Sequence, residues 1–246
     1  MTRQSRLKAE ILTEARRLGV DLVGVAAVDS LNEAPPSHKP TDIMPKAKSV
    51  IVLARKCLAG PMNSRHWTSY TAVHDGNIAR LDNDAYHLAR YIEENSGADS
   101  LPIPAMTPYS HWDEARQYAA GDLSHKHAAV AAGLGVLGKN SLLITPQYGN
   151  RVNLVCVITE LAIEPDPVLG EELCPPDCRL CIESCPVGAI GDSGRVDQQA
   201  CRSHCWTKLP RGFSVLQCWE CRGCCLANKM VQPACSSSLA QPTFSC

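Results

Sequence analysis

The sequence has almost no net charge and no long apolar run. Its 24 Lys and Arg residues nearly balance its 25 Asp and Glu residues, which leaves a formal net charge of −1. This balance gives no electrostatic basis for binding a phosphate backbone or a lipid surface, so nucleic acid and membranes are not expected as partners. No window approaches the roughly 20 apolar residues of a membrane-spanning helix.

The sequence also has few aromatic residues and no export signal. Aromatic residues make up 5% of the chain, but hydrophobic residues make up 45%, so a substantial core is still expected. Residues 1–20 contain neither the apolar core of a signal peptide nor a twin-arginine motif. We therefore expect a reducing cytoplasm, in which clustered cysteines bind metal or carry out redox chemistry.

Cysteine is the residue type in excess. Of the fourteen cysteines, all except Cys57 and Cys156 lie at or after Cys174. They form two closely spaced runs, over 174–186 and 218–225, with Cys201 isolated between them. The first run ends in Cys-Pro, which is typical of proteins that hold two 4Fe-4S clusters and in which that last thiolate binds the other cluster.

Two zinc sites are the alternative, because zinc is also bound by C-x2-C pairs. Zinc sites usually take two pairs each, whereas this sequence offers triplets and an isolated cysteine. The Pro-Val-Gly-Ala-Ile that follows Cys185 adds a turn and small residues that let backbone N–H groups approach sulfide. The sequence therefore favours iron–sulfur clusters over zinc.

The remaining cysteines are not expected to bind the clusters. Cys57 and Cys156 fall in apolar surroundings typical of small buried hydrophobic residues. The spare cysteines of the C-terminal region are Cys205, Cys224, Cys235 and Cys246. Among these, Cys224 competes with its neighbour Cys225 as a ligand.

Hydrophobic patterning predicts a mixed α/β (α+β) fold. The nearly continuous apolar run Ser49–Ala54 indicates a strand covered on both faces. Asn63–Gly76 is polar and is predicted to be a loop or lid. The predicted helices are Ser5–Leu18, Asp84–Glu94 and Lys126–Leu134. The other extended segments are Val20–Val28, Asp99–Pro104 and a strand pair, Ser141–Ile144 with Val152–Ile158, joined by the turn at 148–150.

A change in composition around Ala162–Gly170, to Pro, Asp and Glu, predicts a domain boundary. We predict an N-terminal α/β domain over residues 1–165 that binds a cofactor or partner. A small domain with two 4Fe-4S clusters follows over residues 166–235, and residues 236–246 form a loose tail.

Two segments carry a resemblance to a known family. One is the Gly-rich motif AGLGVLGKNSLLI over 132–144, followed by Pro146 and Tyr148-Gly149. The other is the cysteine-rich region 174–229, which ends in Leu-Ala-Asn-Lys. Together they resemble the epoxyqueuosine reductases and their relatives, the corrinoid reductive dehalogenases. The resemblance implies cobalamin on a nitroreductase-like N-terminal domain and a bacterial ferredoxin-like C-terminal module.

The resemblance also implies which cysteines hold which cluster. The outer thiol set, nearer the solvent, is Cys174, Cys178, Cys181 and Cys225. The inner thiol set, nearer the active site, is Cys185, Cys201, Cys218 and Cys221. Electrons pass in the family from a donor to the outer cluster, then to the inner cluster and to cobalt.

The Gly-rich motif itself contains Gly133-x-Gly135-x-x-Gly138, which formally matches a dinucleotide fingerprint. That fingerprint needs a strand before it and a helix after it, and here the predicted order is reversed. The motif is therefore read as a tight turn. The resemblance adds that it allows close approach of a flat cofactor, with Lys139 and Asn140 as polar contacts.

One departure from the family concerns the catalytic acid, which protonates the departing oxygen in the reaction of these enzymes. An ungapped alignment places that position at Ala119, and the nearest acid is Asp122, three residues later. Asp122 is the catalytic residue that the sequence offers if the loop is rearranged.

We therefore expect an iron–sulfur oxidoreductase with two 4Fe-4S clusters that pass electrons to a cofactor, by resemblance cobalamin, for a reductive reaction. The expected partners are a redox donor such as ferredoxin or flavodoxin and a small-molecule substrate or corrinoid. The alternative is a ferredoxin-like electron carrier without a substrate of its own.

Overall fold

The computed structural model of the protein describes residues 3–116, 118–212 and 214–231. Its helices are α1 (Arg3–Arg17), α2 (Pro40–Ile43), α3 (Ala59–Met62), α4 (Trp67–Ser96), α5 (His125–Ala131), α6 (Leu180–Glu183), α7 (Gln198–Cys205) and α8 (Glu220–Gly223). Its strands are β1 (Leu22–Ala27), β2 (Ser49–Lys56), β3 (Ser100–Ile103), β4 (His111–Asp113), β5 (Tyr118–Ala120), β6 (Val136–Leu137), β7 (Leu143–Ile144), β8 (Val152–Thr159), β9 (Trp206–Lys208) and β10 (Ser214–Leu216).

Four of these strands form the main sheet, in the order β1-β2-β8-β3, and every neighbouring pair is antiparallel. Successive side chains of a strand point to opposite faces of the sheet. In β2, Val50 and Val52 accordingly join one core cluster, while Ile51 and Leu53 join the other. All four side chains are fully buried, which confirms the predicted strand covered on both faces.

Helices cover both faces of the sheet. On one face α1 contributes Ile11 and α4 contributes Leu81 and Leu88 to the core. On the other face α5 contributes Ala128 and Ala129. The mixed fold of helices and strands is confirmed in this coarse form, and the helices and strands predicted at α1, β1, β2, β3 and α5 are present.

The loop predicted over Asn63–Gly76 is wrong from Trp67 onward. This stretch is the N-terminal part of the 30-residue helix α4. Tyr70 and Thr71 are the buried residues of this part, and the Thr71 hydroxyl donates to the Leu216 carbonyl at 2.9 Å. The apolar partner of this helix face lies about 145 residues away along the chain, so local periodicity does not reveal it.

The strand pair predicted for Ser141–Ile144 with Val152–Ile158 is also wrong. Strand β7 pairs with β6, and β8 pairs with β2 and β3. The turn predicted at 148–150 closes only an isolated bridge between Thr145 and Gly149. Strand β8 is buried on both faces in the middle of the sheet. In that position all eight of its residues pair with the antiparallel strand β2, which explains why β8 does not pair with β7.

The segment between β8 and the first cysteine run is bound to the N-terminal part of the chain through Asp166. The Asp166 carboxylate accepts from the Lys8 ammonium at 2.7 Å and from the Val25 N–H at 2.8 Å. The Asp166 N–H in turn donates to the Val25 carbonyl at 2.8 Å. The predicted boundary segment therefore lies against β1, and the division into domains stays a prediction. The predicted tail 236–246 lies outside the described residues.

No helix in the described part of the chain combines the length and the hydrophobicity that crossing a membrane requires.

Candidate iron–sulfur site

The outer thiol set surrounds one small cavity. Cys174, Cys178, Cys181 and Cys225 all line it, and so do Lys139 and Asn140 of the Gly-rich motif. Three of these thiols come from the first cysteine run and the fourth from the second. The structure therefore brings together the four cysteines that the resemblance assigns to the outer cluster.

The inner thiol set lines a second, larger cavity of about 410 Å³. Its four thiols come from both runs and from the isolated Cys201 of α7. Other lining residues are Ala119, Lys126 and Ser141, from the N-terminal part of the chain. The inner cavity is thus a place where the cysteine region and the N-terminal region face each other.

Short helices and capped turns hold the thiols in place. Cys181 lies in α6 and Cys221 in α8, each a single helical turn. The longer α7 carries Cys201. Asp197 caps its N-terminus, and the Asp197 carboxylate accepts from the Ala200 N–H at 3.1 Å. Such N-terminal caps satisfy backbone donors that a helix leaves free.

A backbone N–H donates directly to the sulfur of one thiol of the inner set. The Ala189 N–H points at the Cys185 Sγ at 3.3 Å, within the Pro-Val-Gly-Ala segment that the sequence indicated for this purpose. Hydrogen bonds to ligand sulfur are one of the means by which a protein sets the potential of an iron–sulfur cluster.

The two cysteine runs lie close to the Gly-rich motif because Lys139 and Asn140 bind both of them. The Lys139 ammonium donates to the carbonyls of Pro176 and Cys178, the latter at 2.9 Å. The Asn140 side-chain N–H donates to the Cys221 carbonyl at 2.9 Å. These polar side chains, predicted as cofactor contacts, are engaged with the loops of the two thiol sets.

The glycines of the motif allow close packing of the chain against itself. Gly133 has φ +71°, and a Cβ there would overlap the Pro167 carbonyl oxygen. A Cβ at Gly135 would overlap the Ile144 carbonyl oxygen, and one at Gly138 would crowd the Ile144 side chain. The tight-turn interpretation therefore accounts for all three glycines, and their role in binding a cofactor stays a prediction.

Burial favours the protonated form of four of these eight thiols when no metal is bound. It raises the pKa of Cys221 to about 12 and that of Cys225 to about 11, and it also raises the pKa values of Cys181 and Cys218. Cys201 differs because it accepts a hydrogen bond from the Cys205 thiol, which lowers the Cys201 pKa to about 7. Metal or cluster binding must therefore displace protons from the buried thiols.

The other cysteines lie beside these sets without joining them. Cys224 interacts electrostatically with Cys181 and Cys225 but lines neither cavity. Cys205 is buried and donates to Cys201. Cys57 and Cys156 are buried in the N-terminal part, as predicted for small hydrophobic residues. Cys235 and Cys246 lie outside the described residues.

The donor sets fit iron–sulfur clusters. A 4Fe-4S cluster takes four thiolates, one at each iron, and each cavity is lined by four thiols. Within the described ranges, no group of three or more His, Cys, Asp or Glu side chains is arranged to hold a single metal ion.

The position of the expected catalytic acid is occupied by an apolar residue. Ala119 lines the inner cavity, whereas Asp122 does not. The Asp122 and Gly121 backbone carbonyls instead face the His38 ring nitrogen, at 3.2 and 3.0 Å. Asp122 as the catalytic residue therefore stays a prediction.

Two cationic residues of this region were not predicted from the sequence. Lys126 lines the inner cavity and donates to the Ser141 hydroxyl at 2.7 Å, and burial lowers the pKa of its ammonium group. Arg222, next to Cys221, is buried. The one sequence feature that could have indicated Arg222 is its position directly after Cys221. Lys126 lies in an Ala-rich predicted helix, and nothing in the sequence around it indicates a place in the site.

Comparison with known proteins confirms the resemblance. No family model matches the chain. The epoxyqueuosine reductase of Bacillus subtilis is 28% identical over 257 aligned positions, which cover 91% of this chain and 64% of that protein. That of Listeria monocytogenes is 40% identical over 84 positions, 34% of this chain and 22% of that protein. The chain therefore spans less than two thirds of the length of these relatives.

Solved structures of both groups share the fold. A reductive dehalogenase structure, described with a mechanism for B12-dependent dehalogenation, superposes with a TM-score of 0.67 at 18% identity, over 87% of this chain and 30% of that one. Epoxyqueuosine reductase with a tRNA-Tyr epoxyqueuosine-modified stem loop superposes with a TM-score of 0.65 at 21% identity, over 92% and 66%. The expectation that nucleic acid is not a partner is contradicted by this second structure, because net charge alone does not exclude a tRNA-binding protein.

Proposed function

We propose that the protein is an iron–sulfur reductase that passes electrons through two 4Fe-4S clusters to an acceptor bound in the inner cavity. One observation carries the proposal: each cavity is lined by four thiols, and each set draws on both cysteine runs. The named relatives are reductases, which supports the reaction class. The compartment we propose is a reducing cytoplasm.

In this proposal the outer thiol set would hold the cluster that receives electrons from a donor such as ferredoxin or flavodoxin. The inner thiol set would hold the cluster that delivers them. Iron–sulfur clusters supply one-electron transfer at each step. Lys139 and Asn140 fix the two loops against one turn, so the separation of the clusters is set by the Gly-rich motif.

The acceptor is, by resemblance, a corrinoid. The space beside the inner thiol set is bounded by Ala119, Lys126 and Ser141, so an acceptor there would lie directly next to the inner cluster. Gly133 and Gly135 face backbone carbonyls of the chain and would not line that space. The nitroreductase-like and ferredoxin-like assignments of the two parts belong to this same proposal.

Lys126 is the group that we propose supplies the proton of the reduction. It lines the cavity that Ala119 also lines, and burial lowers its pKa, which makes its ammonium group a better acid than an exposed lysine. Its hydrogen bond to Ser141 orients it. With an amine in place of a carboxylic acid, we propose that the substrate differs from that of the relatives.

A ferredoxin-like carrier without its own substrate is the second candidate. The observation in its favour is the missing acid: Ala119 has only a methyl group, and the Asp122 carboxylate is not in the cavity. In that case the inner cavity would be a contact point for a partner and would bind no corrinoid.

Titration with cobalamin separates the two candidates. The protein is purified without oxygen, reduced with dithionite, desalted to remove the excess reductant, and titrated with cob(III)alamin while the visible spectrum is recorded. The reductase proposal predicts saturable spectral changes and reduction of cobalt at a rate that depends on the clusters. An unchanged cobalamin spectrum, in protein that contains iron and sulfide, would exclude a corrinoid acceptor and favour the carrier.

A further inference from the structure

Arg222 carries a charge in the interior of the protein. Its side chain is only 9% exposed, and it follows Cys221 of the inner thiol set directly. Its Nη1 donates to the carbonyls of Asn150 at 2.7 Å and Val152 at 3.2 Å, and it approaches the Cys57 Sγ at 3.7 Å. The guanidinium group is therefore fixed at the start of β8.

No carboxylate balances this charge in the part of the chain that the structure describes, where Arg222 forms no ion pair. The groups that act on it electrostatically are the Tyr70 hydroxyl and the thiols of Cys57 and Cys221. Backbone carbonyls satisfy its hydrogen bonds but carry no net charge. A buried cation without an anion costs several kcal/mol, so the fold predicts an anionic partner that the protein alone does not provide.

Two of the three neighbours stay neutral. Burial raises the pKa of the Tyr70 hydroxyl and that of the Cys57 thiol, and neither group ionises at neutral pH. The remaining neighbour, Cys221, belongs to the inner thiol set. A 4Fe-4S cluster with four thiolates is net negative, and each electron that it accepts adds one negative charge.

We infer that Arg222 is the countercharge of the inner cluster and raises its reduction potential above that of the outer cluster. This inference rests on the proposed function, because it requires a cluster on the inner thiol set. A buried positive charge stabilises the reduced cluster more than the oxidised one, since the reduced cluster is more negative. Electrons would therefore move inward on the potential difference that Arg222 helps to create.

The outer thiol set has a matching arginine with a different environment. Arg179 follows Cys178 as Arg222 follows Cys221, but its side chain is 50% exposed and forms ion pairs with Glu183 and Asp192. Water and carboxylates screen such a charge. Of these two arginines, only Arg222 is both buried and without a carboxylate partner among the described residues.

The test is a potentiometric titration of the cluster-loaded protein, followed by electron paramagnetic resonance so that the two reduced clusters are observed. We expect Arg222→Gln, which keeps hydrogen-bonding groups but removes the charge, to lower the potential of one cluster only. At a fixed potential its ratio of reduced to oxidised cluster should fall at least tenfold, which is about 59 mV for a one-electron couple. Arg222→Lys should restore most of the potential, and Arg179→Gln should leave both potentials unchanged.

A second variant neutralises the charge and leaves the guanidinium in place. Cys57→Asp puts a carboxylate within ion-pairing reach of Arg222, so it should lower the same potential, whereas Cys57→Ser should not. If Arg222→Gln loses its iron, this pair decides the question. Unchanged potentials in iron-loaded Arg222→Gln, or in iron-loaded Cys57→Asp, overturn the inference. Absence of iron and sulfide from the unmodified protein would refute the proposed function instead.

Discussion

Exchange of single cysteines gives a quantitative test of the crossed thiol sets. Cys185 lies in the first run but lines the inner cavity, and Cys225 lies in the second run but lines the outer one. Cys185→Ser therefore removes one of four ligands from the inner cluster and none from the outer. Iron should fall from about eight to about four per chain, and sulfide in parallel.

The complementary variant should remove the other cluster. Cys225→Ser should also leave about four irons per chain, but the remaining cluster should have the spectrum and potential of the one lost in Cys185→Ser. Anaerobic purification, iron and sulfide analysis and electron paramagnetic resonance of the reduced proteins distinguish the two half-loaded forms.

Cys224 provides the matched control. It is adjacent to Cys225 in the sequence and near Cys181 in space, yet it lines neither cavity. Cys224→Ser should retain all of the iron. Loss of the outer cluster in Cys224→Ser but not in Cys225→Ser would show that the ligand is Cys224. Equal loss of both clusters in Cys185→Ser would refute the crossed arrangement.

Three further predictions concern residues that support the site. Burial lowers the pKa of His74 from 6.5 to about 4, so the unfolded protein binds more protons than the folded one between these pH values, and stability rises with pH there. This lowering of the pKa corresponds to about 3 kcal/mol. His74→Phe should therefore reduce the amount of unfolding free energy, measured with urea, that is lost between pH 6.5 and 4. An equal dependence on pH in both proteins would exclude this contribution of His74. Asp84→Ala should cost roughly 3–5 kcal/mol in urea unfolding at neutral pH, because it removes the buried carboxylate that pairs with the half-buried Arg55 guanidinium. A loss below about 1 kcal/mol, as for an exposed pair, would show that water reaches this pair. Asn140→Ala removes the hydrogen bond to the Cys221 carbonyl, so the absorbance of the clusters should bleach faster in air. Arg90→Ala breaks the exposed Arg90–Glu94 pair and serves as a control, because it should not change that rate.

The parts of the fold that the sequence predicts are those with a local cause. Strand β2 is continuously apolar because both of its faces are covered, and α1 shows one apolar stripe because one face is covered. The grouping of the cysteines followed from the resemblance, and the two cavities have the corresponding lining residues.

The errors arose where burial depends on distant residues. The first turns of α4 are polar, and what buries Tyr70 and Thr71 is the region around Trp219 and Leu216. The hydrogen bonds of Lys139 and Asn140 to the cysteine loops were likewise not predicted, because their partners are backbone carbonyls that a sequence does not distinguish; their role as cofactor contacts stays a prediction. Arg222 was missed for the same reason, since its environment is made of backbone carbonyls, a tyrosine hydroxyl and thiols.

The measurement that tests the central claim most directly is the metal and sulfide content of the protein purified without oxygen, combined with Mössbauer spectroscopy of iron-57-enriched protein. Two 4Fe-4S clusters predict about eight irons and about eight labile sulfides per chain, with all iron in one type of cubane signal. Zinc bound at the cysteines with no labile sulfide would contradict the account, because the two thiol sets would then hold single ions and form no electron-transfer chain.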